Sequence, residues 1–185
     1  MTAFTRRRFL AAASAPVALA ACGNGIGSDG AQRIDARADA AFNFMYDTLP
    51  DTQVLASKAA GILMMPVVTE GGLFLGGAYG RGVLRIDGVT VDYYSTTAAS
   101  FGLQAGGQQY SHALFFMTQP ALNNFRTSQG WTAGADLEYA VPSRGNALTT
   151  GTTELLTPVI AVVFGQAGLL AGASLEGAKY NRIIP

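Results

Sequence analysis

Leu73-Phe74-Leu75-Gly76-Gly77-Ala78-Tyr79-Gly80-Arg81-Gly82-Val83-Leu84-Arg85, followed by Ile86-Asp87-Gly88-Val89, decides the fold class. Apolar and aromatic residues at short intervals, closed by Asp-Gly, are the mark of a strand entering a hairpin. Gly76, Gly77, Gly80 and Gly82 lie inside that strand. Glycine weakens a strand unless it permits a bend, a bulge or close backbone approach. Gly172 and Gly177 repeat the pattern further on. The expectation is a strongly curled, barrel-like sheet, which also limits exposed edges.

Outward from this stretch the texture stays β. The runs Ile62–Val68, Leu73–Arg85, Val89–Ser95, Ala99–Ala105, Ser111–Met117, Gly134–Ala140, Val159–Phe164 and Leu169–Lys179 read as strands. Glu70-Gly71-Gly72, Asp87-Gly88, Gly106-Gly107 and Gly165-Gln166-Ala167-Gly168 read as the turns between them, hence a mostly antiparallel sheet. Thr118 to Ser128 reads as a helix with Pro120 in its first turn and Leu122 and Phe125 facing inward. Arg144 to Thr153 is polar and reads as an exposed loop.

Upstream, Ile34, Ala38, Ala41, Phe42, Met45 and Leu49 recur at three- and four-residue steps, so Ala31–Leu49 reads as a helix with one apolar stripe. Packing on the domain core is the simpler use of that stripe. A membrane-surface helix is the alternative, although Asp35, Asp39 and Asp47 keep its polar face from being cationic. A short helix from Pro50 and Asp51 to about Ala60 follows, with Gly61 as its stop. The fold class is therefore α+β, with N-terminal helices packed on a curled, Gly-rich, mostly antiparallel sheet.

The first residues are addresses rather than fold. Thr5-Arg6-Arg7-Arg8-Phe9-Leu10 has the form of a twin-arginine export signal, and Leu19-Ala20-Ala21-Cys22 that of a lipobox. Phe9–Ala21 is 13 residues, short of the roughly 20 that a bilayer-spanning helix needs. Residues 1–21 thus read as a signal peptide, 22–30 as a flexible tether and 31–185 as one domain, with Cys22 carrying a lipid anchor. The chain's single cysteine allows no internal disulfide and no Cys-based metal site. Gly23 stands where an Asp would signal inner-membrane retention, so the expected location is periplasm-facing, on the outer membrane.

Twelve basic residues balance twelve acidic ones over the whole chain. Removing Arg6, Arg7 and Arg8 leaves nine against twelve, a net charge of −3. That excludes a nucleic-acid footprint and broad adhesion to an anionic bilayer. Gly25-x-Gly27-x-x-Gly30 has dinucleotide-loop spacing, but a cleavage site precedes it rather than a strand. His112 is the only histidine, and Ser111 beside it in a strand points to the opposite face, so a Ser-His-Asp site with Asp136 is disfavoured. No ligand spacing for a metal is present. No enzymatic activity and no cofactor are expected. The few cations near the glycine-rich segments, Lys58, Arg81, Arg85, Lys179 and Arg182, are the candidates for holding a lipid phosphate. The apolar stretches Ile62–Val68 and Val159–Leu170 fit either a core or the wall of an acyl-chain cavity.

Four segments in order resemble the SYLF domain family. Ala56-Ser57-Lys58-Ala59-Ala60-Gly61-Ile62-Leu63-Met64-Met65-Pro66 is similar to its opening A-K-G-I-x-x-x-P. Gly76 to Leu84 resembles G-G-x-x-G-x-G-V-L, and Gly102-Leu103-Gln104-Ala105-Gly106-Gly107-Gln108 resembles G-x-Q-x-G-x-Q. Gly168-Leu169-Leu170-Ala171-Gly172-Ala173-Ser174-Leu175-Glu176-Gly177 resembles the closing G-L-F-A-G-x-S-L-x-G. The resemblance is collinear over about residues 35–184. The family's Trp-Ser-x-Pro segment is altered, its nearest match being Tyr93-Tyr94-Ser95-Thr96. The resemblance implies lipid binding: eukaryotic members bind phosphoinositides and contact the actin machinery, and bacterial members are often exported lipoproteins. The expected partner is membrane phospholipid, with an envelope protein partner as the alternative.

Overall fold

A computed structural model describes residues 28–134, 138–140, 157–168, 175 and 177–185. The proposed signal, Cys22 and the loop at 144–153 lie outside the described residues. The fold is α+β: N-terminal helices packed on a curled half-barrel sheet. Helix α1 (Gly30–Thr48) and helix α2 (Asp51–Lys58) precede strand β1 (Gly61–Ile86) and strand β2 (Val89–Phe116). Helix α3 (Gln119–Thr127), β3 (Trp131–Thr132), β4 (Glu138–Ala140), β5 (Val159–Gly168) and β6 (Lys179–Ile183) follow. The sheet runs β3-β6-β2-β5-β4, with β1 also on β2. Every pairing is antiparallel except β4 with β5.

Two expected turns are absent. β1 runs straight through Glu70-Gly71-Gly72, and β2 through Gly106-Gly107. The reason lies across the ladder: Gly71 faces Gly107 and Gly72 faces Gly106, and the register slips just beyond. Paired glycines let a long hairpin bend without ending it. Asp87-Gly88 is a true turn, with φ of 50° and 77°. Positive φ at both central residues is the two-residue type I′ pattern that matches strand twist.

Gly165 also departs from the sequence expectation. β5 continues past it to Gly168, and Gly165 sits at φ 62° in a bulge. Gly165 and Gln166 stand opposite the single residue Tyr110. Pro66 likewise occupies a bulge: Pro66 and Val67 face Ser111 alone. A residue with no N–H is tolerated in a strand at such a point. β3 and the polar β6, with Asn181 and Arg182, are strands that the sequence pattern did not indicate.

The curl is visible where β1 meets itself. A Cβ added to Gly80 would stand 2.8 Å from the Val67 carbonyl oxygen, and one on Gly82 would strike the Met64 carbonyl. Only glycine permits this approach. The resulting core has two layers, sorted by the period-two alternation of strand side chains. Leu63, Met65, Leu114, Phe116, Ala161 and Val163 fill the inside of the curl with Leu122 and Phe125 of α3. Met64, Ala113, Phe115, Ile160 and Val162 face outward against Ile34, Ala38, Phe42 and Met45 of α1. Leu63–Met65 and Val159–Phe164 are therefore packed core on both faces.

Polar clasps fix α1 to the hairpin. Tyr93 and Thr90 hydroxyls donate to Asp35 at 2.7 and 2.9 Å. Burial first, then the Asp35 carboxylate, pushes the Tyr93 hydroxyl up to about 12. Thr118 caps α3 by accepting from the Ala121 N–H, with Pro120 in the first turn.

Candidate functional site

His112 lies fully buried inside the curl. Its Nε2 is 2.8 Å from the Tyr180 hydroxyl, and its Nδ1 has no hydrogen-bond partner among the described residues. Burial lowers its pKa to about 3, so the ring is neutral at physiological pH. Ser111 does face away, and its hydroxyl donates to the Pro66 carbonyl at 2.6 Å. Asp136 is outside the described residues. This is a core imidazole braced by tyrosine. Among the described residues, no group of three or more His, Cys, Asp or Glu side chains is gathered for a metal.

The five candidate cations do not form one cluster. Arg85 is 2.6 Å from Asp39, donates to Thr90 at 3.3 Å and sits 5.0 Å over the Phe42 ring. With its side chain 19% exposed, it works as a brace between α1 and β1. It borders a groove of about 780 Å³ shared with Asp39, Tyr46, Ser57 and Asp87. Two carboxylates against one guanidinium make that groove unfavourable for an anion. Lys58 is exposed at the end of α2, next to Ser57. Arg81 is partly buried on β1, opposite Ser95.

Lys179 and Arg182 both lie on β6, three residues apart and so on opposite faces, and the fold brings Arg126 of α3 to Arg182. Arg126 and Arg182 share the Asp92 carboxylate, at 3.2 and 3.5 Å. Asp92 is only 14% exposed at the side chain, while Arg182 is 63% exposed. A polar groove of about 750 Å³ opens beside them, lined by Asn123, Arg126, Ser128, Gly130, Asn181 and Arg182. Gly130 has φ 85°, and Lys179 lies against its α-carbon: a Cβ there would strike Lys179 Cε and stand 3.2 Å from Nζ. Glycine thus makes room for the Lys179 side chain, which packs there without lining the groove.

Local sequence explains the placement. Leu122 and Phe125 anchor α3 in the core, which turns Arg126 in the last helical turn toward the rim. Ser128 donates to the Asn124 carbonyl at 2.6 Å and helps close the helix. β6 pairs with β2 so that Arg182 stands opposite Tyr94, two residues from Asp92. The sequence reading passed over Arg126. The only available signal was a cation one position after an inward Phe125 on a short helix.

The groove lies near the start of α1. A Cβ on Gly30 would stand 2.9 Å from the Pro185 backbone carbon, and Arg182 is three residues before Pro185. Among the described residues, no helix is long and apolar enough to cross a membrane.

No curated protein matches the chain. Residues 97–182 match the family model described as Ysc84, a Las17-binding protein actin regulator. That span holds the last two of the four resembling segments, together with Arg126, Lys179 and Arg182. The chain carries a SYLF domain of the Ysc84 family.

Proposed function

We propose that the protein is an exported envelope lipoprotein, held to a membrane by a lipid on Cys22, whose SYLF domain binds phospholipid without enzymatic chemistry. The observation that carries this reading is the meeting of Arg126 and Arg182 on Asp92 beside a polar groove, at the end of the domain where α1 begins. Cys22 precedes Gly30 by eight residues, a reach of at most about 28 Å. An anchored domain therefore keeps this groove within range of head groups. The net charge of −3 in residues 22–185 means that binding relies on these local cations, not on a long-range field.

Replacing Cys22 by Ser is expected to release the protein from the membrane fraction. Changing Arg6 and Arg7 to Lys is expected to block export through the twin-arginine route. Co-sedimentation with anionic vesicles tests the domain itself, and a folded protein that binds none would defeat the lipid reading. The second reading, a protein-interaction module of the envelope, draws on the family's description, which names a protein partner. It also draws on the exposed Phe44, Val67 and Tyr79, at 49%, 41% and 55%.

A further inference from the structure

We infer that the open half of β1 is a self-association edge, through which two copies of the chain pair antiparallel over residues 75–81, about a twofold axis at Ala78. The inference is independent of any lipid.

The topology leaves this edge bare. Among the described residues β1 pairs with β2 alone, so its other side presents backbone N–H and C=O groups to no strand. The outermost strands of the rest of the sheet are guarded by shortness: β3 has two residues and β4 has three. In the first half of β1, Pro66 offers no N–H and a bulge breaks the register between Met65 and Val68. Residues 74–84 have no such guard. Their register runs unbroken from Phe74 to Leu84, with no proline and one charge, Arg81.

The outer face of this stretch selects the occupant. Gly77 and Tyr79 lie two apart, so they share a face, and both are exposed, Tyr79 to 55%. Opposite them on β2, Ala99 and Thr97 are small and exposed too. Tyr79 is thus a lone ring beside an empty glycine position, where a Cβ would meet only the Ala98 carbonyl oxygen, at 3.6 Å. An aromatic side chain from the adjoining strand covers such a glycine well. The strand that fits must carry a ring opposite Gly77 and a gap opposite Tyr79, and β1 itself carries both. Antiparallel pairing about Ala78 sets Tyr79 of each copy over Gly77 of the other. The same register holds the two Arg81 residues six positions apart along the ladder, roughly 20 Å and beyond the reach of their repulsion at physiological salt. A contact of this isologous kind closes at two copies. The ladder is smaller than a standard interface, so pairing depends on concentration and dilute chains stay single.

Sedimentation velocity of the full chain carrying Cys22→Ser, over a series from micromolar to submillimolar, tests the pairing. The expected result is a monomer at the dilute end and a dimer at the concentrated end. Gly77→Lys with Tyr79→Lys sets ammonium against ammonium at both crossings and removes both rings, and should weaken pairing by about tenfold or more. Gly77→Glu with Tyr79→Lys sets carboxylate against ammonium at the same crossings and should recover most of that loss. Both positions are exposed, and circular dichroism checks the fold. If the double-lysine variant misfolds, Tyr79→Ser alone should weaken pairing several-fold. A wild-type chain that stays monomeric throughout overturns the inference. A folded double-lysine variant that pairs as well as wild type, or a Gly77→Glu, Tyr79→Lys variant that pairs no better than the double-lysine one, overturns it equally. Growth beyond two copies would mean an open head-to-tail contact and would also overturn it.

Discussion

Leu63, Met64, Met65 and the run from Ala113 to Phe116 have no exposed surface, whereas Val67 and Tyr79 on the same hairpin are 41% and 55% exposed. Both stretches belong to β1 and β2 and share one ladder. The first has α1 on one face and the interior of the curl on the other. The second has an open outer face and glycines in place of large side chains. A sheet covered twice needs an unbroken apolar run, and a sheet covered once needs shape, which here comes from glycine.

Leu114→Ala should cause the largest loss, about 3–5 kcal/mol, since the residue is fully buried between packed layers. Urea denaturation measures it, and a loss under about 1 kcal/mol would mean that the layer repacks freely. Gly82→Ala comes next, at about 2–3 kcal/mol, because its Cβ must displace the Met64 carbonyl. An unchanged denaturation midpoint would show that the two arms of β1 do not need to touch.

Acid probes His112, buried in the twice-covered half. The unfolded chain protonates His112 near 6.5, and the native protein refuses that proton until about 3. Stability is therefore complete above 6.5 and falls as pH drops toward 3, at up to about 1.4 kcal/mol per pH unit. Denaturation midpoints at pH 7.5 and 5 should converge in His112→Gln. A variant with the wild-type pH slope would assign the acid sensitivity elsewhere.

The smallest effects belong to the open half. Gly77→Ala meets only the Ala98 carbonyl oxygen, at 3.6 Å, and should shift stability by no more than about 0.5–1 kcal/mol, in the stabilising direction. Tyr79→Ala should stay within about 0.5 kcal/mol. A large loss from either change would show that the open face is covered in solution.

The twice-covered half was legible because its information is local. Runs such as Ile62–Met65 and Val159–Phe164 announce burial by themselves, and the stripe from Ile34 to Met45 marks the buried face of α1. The glycines misled for the same reason. Gly71-Gly72 looks like a turn in any short window, and only its partner, 35 residues away at Gly106-Gly107, reveals a bend in a continuing ladder. Gly165 needed knowledge of its opposite neighbour, Tyr110, to be read as a bulge. The site was half legible. Arg182 stood out as a scarce cation, but Arg126 joins it only through the pairing of β6 with β2 and the docking of α3.

The Asp87-Gly88 turn gives the hairpin an order of assembly. Ile86 and Val89 meet at once, whereas Gly61 and Phe116 are 55 residues apart in sequence. Closing that span directly would carry a large loop entropy, but closing it rung by rung from the turn never requires more than the next pair. Neither β5 with β4 nor β6 with β3 can join the hairpin until β2 is laid down, since β2 is the strand to which each pair attaches. The speed of the whole domain thus hangs on two residues with positive φ. Gly88→Ala, which has open space around its new methyl but a strained backbone, would tax the rate of folding more than the packing of the product.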